Sequence, residues 1–201
     1  GLVSYIGRIN YAAYQRYLFE FNLRCDGSSK FLDGSKYGYF PSASVGWIFS
    51  EEPFINKYVK GWLNHAKLRV SYGVLGNNSG VGRYEQQETL TTNNYMIDGK
   101  ILKGYVNKKM VNRDLSWEET SVTNIGLDMK FFNNRLSVEL DYYDRLTSGM
   151  IRPSDMSVHL TGAYSAPRKN IGELRNKGVE ANIVWRGRVN EFNYTVNANA
   201  S

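Results

Sequence analysis

The 201-residue chain is 42% hydrophobic and 22% charged, a balance typical of folded proteins that excludes a disordered chain. Its net charge of +6 comes from Lys and Arg residues spread along the sequence without a block of five like charges, so a nucleic-acid partner is not expected. No run of about 18 apolar residues predicts a membrane-spanning helix, and the single Cys25 excludes an internal disulfide.

Eight stretches alternate between apolar and polar residues with the period of two that predicts β-strands. Nearly all are about as long as membrane-barrel strands, which need about 9–11 residues, whereas ordinary strands average about 5–6. The length therefore favours a transmembrane barrel over a soluble sheet. In chain order the predicted strands are residues 3–12, 17–26, 39–49, 64–75, 120–131, 135–145, 174–187 and 192–201.

The connections between these strands alternate between short and long. Short turns are predicted at residues 13–15, 132–134 and 188–191. Long loops rich in Gly, Ser, Asn and Tyr are predicted at residues 27–38, 76–119 and 146–173. Outer-membrane barrels have short periplasmic turns and long extracellular loops, so this asymmetry favours such a barrel.

The connection at residues 50–63 is intermediate in length and falls on the side of the short turns. Its sequence SEEPFINKYV predicts a short helix with Ser50 as the N-cap and with Glu51 and Glu52 in the first turn. We interpret the two acids as helix-start residues, because adjacent side chains do not face each other across a substrate as a catalytic pair must.

The two phases of the strands differ in chemistry. The residues assigned to one phase are uncharged, as a lipid-facing surface requires, and the other phase is small and polar, as a hydrated lumen requires. Aromatic residues also gather towards the two ends of the strands, like the girdles of membrane barrels. The predicted lipid-facing residues include Tyr17, Phe19, Phe21, Leu23, Trp47, Leu127 and Trp185. The predicted lumen-facing residues include Glu20, Asn22, Arg24, Asp128, Glu139 and Asp141.

Five segments of the chain resemble the SusC/RagA-type TonB-dependent outer-membrane receptors of Bacteroidota. The resemblance implies an all-β, antiparallel, up-and-down transmembrane β-barrel segment of about eight long strands. Residues 1–201 are expected to form part of one β-barrel domain, with the plug domain and the final strands absent from them. The segments are GRINYAAYQRYLFEFNLRCDGSSKF, YGYFPSASVGWIFSEEPF, WLNHAKLRVSYGVLGNN, LSWEETSVTNIGLDMKFFNNRLSVELDYYDRLTSGMI and NIGELRNKGVEANIVWRG.

The same resemblance implies a function in nutrient import. Proteins of this family import large nutrients, typically oligosaccharides and sometimes peptides, with energy that the TonB complex delivers to the plug domain. A SusD-like surface lipoprotein usually caps the barrel as a lid. The chain is therefore expected to be part of a transporter of the Gram-negative cell outer membrane, in contact with membrane lipid, without catalysis of its own and without a cofactor.

The long loops supply the candidate substrate-binding residues, because aromatic rings stack on sugars while polar neighbours bind hydroxyl groups. His65 and His159 are far apart with no ligand at metal-binding spacing, so no metal site is expected. The resemblance assigns Glu118 and Glu119 to a strand entry, not to a glycosidase pair. The candidates are Tyr84, Tyr95, Tyr105, Arg113, Asp114, Trp117 and Tyr164.

Two other functions fit the same pattern of residues. A soluble, secreted β-sandwich that binds glycans would also show alternating strands and Tyr-rich loops. An outer-membrane enzyme or adhesin built on a barrel is the third hypothesis.

Overall fold

The computed structural model describes residues 1–59, 61–107, 110–157 and 166–201. Eight long strands form one antiparallel sheet in the order β1-β2-β3-β4-β7-β8-β9-β10, and β5 and β6 form a separate hairpin. No helix in this part of the chain is long and apolar enough to cross a membrane. The elements are β1 Leu2–Ala13, β2 Tyr17–Ser28, β3 Tyr37–Trp47, a 3-10 helix Phe49–Glu51, α1 Pro53–Val59, β4 Leu63–Asn77, β5 Leu90–Ile97, β6 Lys100–Asn107, β7 Glu118–Phe131, β8 Leu136–Pro153, β9 Arg168–Val189 and β10 Phe192–Ala200.

All eight predicted strands are confirmed, but β8 and β9 extend further than the sequence indicated. β8 continues to Pro153 and β9 begins at Arg168, so the loop between them is shorter than the predicted 146–173. The register of this pair shifts between Thr147 and Met150, where Gly149 adopts a φ of +63°. This irregularity interrupts the alternation of apolar and polar residues. For that reason the sequence predicted a loop where the end of β8 and the start of β9 lie.

The prediction of a continuous loop at residues 76–119 is wrong, because it contains the hairpin of β5 and β6. Asp98 and Gly99 join the two strands with φ values of 49° and 72°, the left-handed conformation that a two-residue hairpin turn requires. An Asp-Gly pair between alternating segments is a strong hairpin signal, and the sequence did contain it.

The predicted short turns are confirmed and lie at one end of the sheet, opposite the long loops. Antiparallel pairing of consecutive strands places them there, with β1–β2, β7–β8 and β9–β10 each joined at that end. Asn133 and Asn134 have φ values of 56° and 64°, conformations that Asn tolerates better than most residues. We call this the turn end of the sheet and its opposite the loop end.

The strand register keeps apolar residues together on one side of the sheet, which we call the apolar face. Phe19 lies opposite Val45, and Leu127 lies opposite Leu140. The seven predicted lipid-facing residues all belong to this face, and many of its large apolar side chains are exposed. The other side, the polar face, carries the six residues predicted to face the lumen.

The connection between β3 and β4, of which the structure describes residues 48–59 and 61–62, lies at the turn end of the sheet, and we call it the rim connection. The prediction of Ser50 as a helix N-cap is wrong: Ile48 precedes the 3-10 helix, and the Ser50 hydroxyl accepts a 3.0 Å hydrogen bond from the Ala66 N–H. Trp47, the last residue of β3, pairs with Leu68, so β3 offers no backbone partner to Ala66. The Ser50 side chain takes the place of that partner.

Glu52 fixes the rim connection to the sheet. Its carboxylate accepts hydrogen bonds from the Tyr17 hydroxyl at 2.5 Å and the Trp47 indole N–H at 3.1 Å, and Arg16 donates to it at 2.9 Å. Its backbone carbonyl accepts the N–H groups of Ile55 and Asn56 at the start of α1. Glu52 therefore precedes α1 instead of lying in its first turn, where the sequence predicted it, and it binds side chains of β2 and β3.

Acid is expected to loosen the rim connection through Glu52. The hydrogen bonds from Tyr17 and Trp47 and the nearby Arg16 cation hold the pKa of this carboxyl below its ordinary value of 4.5. The stabilisation is therefore present above that value and is lost as the pH falls through the lower pKa of the folded state. In the full-length protein, amide exchange of residues 48–59, corrected for intrinsic rates, should show protection falling between about pH 5 and pH 3.

Glu52→Gln is expected to abolish this pH dependence, because an amide does not titrate. Glu51→Gln is the matched control, since Glu51 is exposed and adjacent. An unchanged acid response in Glu52→Gln would show that another group is responsible.

Candidate functional site

The polar face carries a set of hydrogen-bonded side chains on β1 and β2. The Arg8 guanidinium donates to the Asn22 side chain at 2.6 Å, and the Asn22 amide donates to Glu20 at 2.8 Å. Further towards the loop end, Arg24 binds both carboxylate oxygens of the buried Asp26 at 2.8 and 2.7 Å. These side chains line a concavity of 530 Å³ on the polar face. Glu20, Asn22 and Arg24 are thus brought together on one surface.

A second network crosses three strands of the same face around Arg69. Its guanidinium donates two 2.8 Å hydrogen bonds to Asp128 on β7, and one nitrogen also donates to Asp141 on β8 at 3.1 Å. Gly126 lies in register between Arg69 and Asp141. A Cβ there would lie 2.6 Å from a guanidinium nitrogen, so the glycine leaves the space through which Arg69 reaches the third strand.

The remaining predicted lumen-facing residue, Glu139, lies beside this network and accepts a 3.1 Å hydrogen bond from the Asn182 amide. Asp141 lies opposite Glu180 in the ladder of β8 and β9, so carboxylates are concentrated on this part of the polar face. Within the described residues, no three His, Cys, Asp or Glu side chains converge as a metal site would require. His65 is in β4, and His159 lies outside the described residues.

A hydrophobic cluster joins the bases of the long loops at the loop end. We call it the loop-base cluster. The Trp117 ring contacts Phe31 at 5.2 Å and Phe40 at 5.5 Å between ring centres, the latter edge-to-face. A Cβ on Gly76 would overlap the Phe40 ring, so this glycine permits the close packing. The cluster consists of Phe31, Phe40, Val81, Leu115, Trp117 and Ile151.

Polar contacts hold the same loop bases together. The Asn170 side chain donates to the carbonyls of Ser116 at 3.0 Å and Gly149 at 2.8 Å, and accepts from the Ser116 N–H at 3.0 Å. The Asn78 amide donates to the Ser28 hydroxyl at 3.1 Å, which connects the end of β2 to the loop after β4. The loops thus share a packed base, which positions the segments that rise from it.

Trp117, one of the predicted ligand-binding residues, lies inside the loop-base cluster. Trp117 is only 8% exposed, and its side chain is already in contact with two phenylalanines. It therefore supports the loops from below and does not present a free face to a ligand. In the sequence, Trp117 stands directly before a strand. This position did not indicate whether the side chain would be buried or available to a ligand.

The other described candidates are on the surface of the loops. Tyr84 is 68% exposed, and Arg113 forms an exposed ion pair with Glu88 at 3.6 Å. Asp114 is exposed, and its N–H donates to the Asn112 side chain at 3.1 Å. Tyr164 lies outside the described residues.

Tyr95 and Tyr105 are both exposed on the hairpin of β5 and β6, but on opposite faces of it. Tyr95 lies opposite Leu102, and Tyr105 lies opposite Thr92. Because side chains alternate along a strand, the two rings cannot form one stacking surface on a single hairpin. Each would bind a ligand from a different side.

Sequence reasoning missed Phe40 and Asn170, which organise the loop bases. Phe40 belongs to the polar phase of β3, in register with Arg24, yet it is only 4% exposed. One large aromatic residue among serines in a polar phase is a signal that the strand is covered locally on that side. Asn170 carried no comparable signal, because its three partners come from segments distant in sequence.

Comparisons with known proteins agree with this architecture. Residues 6–201 match the family described as TonB dependent receptor-like, beta-barrel. TonB-dependent receptor P3 of Formosa agariphila is 34% identical over 98% of this chain and 20% of its own length. TonB-dependent receptor SusC of Bacteroides thetaiotaomicron is 35% identical over 90% of this chain and 18% of its own length.

A solved structure gives the same result in three dimensions. The structure of the RagAB peptide transporter superposes with a TM-score of 0.84 at 33% identity, covering 98% of this chain and 21% of the matched one. The chain thus spans about a fifth of the length of these relatives. A barrel segment, and not a soluble sandwich, accounts for the eight long strands. The chain belongs to the β-barrel family of TonB-dependent receptors, and within it to the SusC/RagA type.

Proposed function

We propose that the chain is part of an outer-membrane transporter that imports large nutrients, with oligosaccharides as the substrate class. The observation that carries the proposal is the set of exposed tyrosines on loops that share a packed base. Tyr84 and Tyr105 present free rings, and Arg113 and Asp114 supply polar groups nearby in the sequence. Sugar rings offer both an apolar face and hydroxyl groups, so this mixture of aromatic and polar groups suits them.

The polar face contributes a wall along which a hydrated substrate passes. Its charged groups bind one another, as in the pair of Arg24 with Asp26 and the network of Arg69. Because their strongest hydrogen bonds are already made, such groups hold a passing solute weakly and through exchangeable water. This property suits passage through a lumen more than catalysis.

Peptides are the second candidate substrate. The similarity to the RagAB peptide transporter favours them. Extended peptides carry backbone hydrogen-bonding groups along their whole length, and these would also find partners on a polar surface.

Two partners follow from membership in the family. A SusD-like surface lipoprotein would close the loop end as a lid, and the TonB complex would act through a plug domain. The outer membrane is the location that the family implies, with the turn end of the sheet in the periplasm. On this arrangement β2 runs from the periplasm to the cell surface.

The proposal is tested by uptake and binding with the full-length receptor and its lid lipoprotein. Cells lacking the receptor gene should lose uptake of at least one member of a panel of oligosaccharides and peptides, and cells lacking TonB should lose the same one. If uptake of every nutrient in the panel is unchanged without the receptor, the transport function is wrong. The panel also decides between the two substrate classes.

Loop tyrosines are expected to contribute directly to binding of that nutrient. Tyr84→Ala and Tyr105→Ala should each weaken binding by about fivefold to thirtyfold, the loss of about 1–2 kcal/mol that follows removal of an aromatic contact. Tyr39→Ala is the matched control, because Tyr39 is an exposed tyrosine on the apolar face of β3. Isothermal titration against the purified complex measures the change. Equal affinities for all three variants and the unmodified receptor would remove these tyrosines from the binding site.

A further inference from the structure

The rim connection is attached at both ends to side chains of the apolar face. At its start, Glu52 binds Tyr17 and Trp47, which belong to that face, and Phe49 packs against Trp47 at 5.7 Å between ring centres. At its end, the Trp62 ring stacks on Phe131, another residue of that face, at 5.9 Å and an interplanar angle of 14°. These attachments place the connection beside the outer circumference of the turn end.

Helix α1, between these attachments, presents aromatic side chains that no other described residue covers. None of its residues is buried, and Phe54 and Tyr58 are 64% and 80% exposed. They are four residues apart, so they lie on the same side of the helix. Lys57, in the last turn, adds a positive charge next to them. A phenylalanine, a tyrosine and a lysine on an exposed helical turn form a small amphipathic surface.

Exposed aromatic residues also occur elsewhere at the turn end. A large exposed ring lies in, or directly after, each of the other turns at this end. Aromatic side chains, with tyrosine and tryptophan foremost, are enriched where a membrane meets water, because their rings are amphipathic. These rings belong to Tyr14 and Phe132, in two of the turns, and to Phe192, the first residue of β10.

We propose that α1 lies in the headgroup region of the inner leaflet of the outer membrane and anchors the barrel there. Phe54 and Tyr58 enter the boundary between headgroups and acyl chains, and Lys57 lies at the level of the lipid phosphates. Phospholipid is the occupant because both attachments of the connection are to the face that meets lipid, whereas a plug domain would approach from the polar face. The inference rests on the outer-membrane location proposed above.

Site-directed spin labelling of the full-length receptor tests the position of α1. The receptor carries Cys25→Ser and is reconstituted into nanodiscs of phosphatidylethanolamine and phosphatidylglycerol. Labels at Phe54→Cys and Tyr58→Cys should collide with oxygen, which concentrates in lipid, several times more than with a water-soluble nickel chelate. Gln15→Cys, an exposed residue of the first turn, is the aqueous control and should show the reverse ratio.

Two results would overturn the proposal. Collision ratios at positions 54 and 58 equal to that at Gln15 would place α1 in the periplasm, and protection from both reagents would mean that a protein segment covers it. A label at Val45→Cys, an exposed position on the apolar face of β3, distinguishes failure of the anchor from failure of the proposed outer-membrane location. Lipid exposure at Val45 with aqueous exposure at Phe54 contradicts the anchor alone, whereas aqueous exposure at both contradicts the membrane location.

Discussion

Phe40→Ala in the full-length receptor is expected to destabilise the packed base of the long loops by about 3–5 kcal/mol, the usual cost of removing a buried phenylalanine. The residue is 4% exposed, and its ring contacts Trp117 edge-to-face. Gly76, beside this ring, has no side chain that could move into the vacated space. The cavity would therefore remain and the neighbouring loops would open more often.

Limited proteolysis of the loops measures this effect. Cleavage after Arg83, in the loop next to Val81 of the loop-base cluster, should accelerate by about a hundredfold or more when opening and closing are fast relative to cleavage. Tyr39→Ala is the control, because Tyr39 is adjacent on the same strand but belongs to the apolar face. Equal cleavage rates in the two variants would mean that the loop-base cluster does not hold the loops. Phe40 is buried and does not contact a ligand itself. Weaker ligand binding by Phe40→Ala would therefore show that the packing of the loop bases contributes to ligand binding.

Arg69→Met is expected to lower the free energy of unfolding of the barrel by about 1–2 kcal/mol. Arg69 is the shared cation of Asp128 and Asp141, and its removal leaves two carboxylates on neighbouring strands without their partner. Loss of one member of a fully buried ion pair costs about 3–5 kcal/mol. The expected value is smaller because the Arg69 side chain is 37% exposed and water replaces part of the lost interaction.

Denaturant titration of the refolded full-length receptor measures this difference. Lys67→Met is the matched control, since Lys67 is two positions away on the same strand and forms no ion pair within the described part of the chain. Arg69→Lys should give an intermediate loss, because an ammonium group cannot reproduce the two parallel hydrogen bonds to Asp128. A loss in Lys67→Met as large as in Arg69→Met would show that general charge, and not this network, stabilises the sheet.

The Arg69 network and the loop-base cluster indicate that the two faces of the sheet are organised differently. The apolar face is uniform along its strands, while the polar face is organised locally around Arg69 near the middle of β4 and around Phe40 towards the loop end. The loop end therefore combines a packed base with exposed rings above it. Such an arrangement allows the exposed loop residues to vary without loss of the fold.

The sequence by itself determined the strands, their two faces and the side on which the turns lie. Each depends on neighbouring residues: the alternation in residues 17–26 assigns Phe19 and Glu20 to opposite faces whatever the rest of the chain does. The hairpin signal at Asp98 and Gly99 was equally local, and only the length of the surrounding loop concealed it.

Only the tertiary structure decided which residues support the loops and the rim. Arg69 and Asp141 are 72 positions apart, and Asn170 is 54 positions from Ser116. Glu52 likewise meets Tyr17 from 35 positions away, so its role beyond the start of a helix could not be recognised locally. Periodicity fixes the side of a strand on which a residue lies, but not its partner across the sheet. That partner depends on strand order, register and the path of the loops, which arise only when the whole sheet assembles.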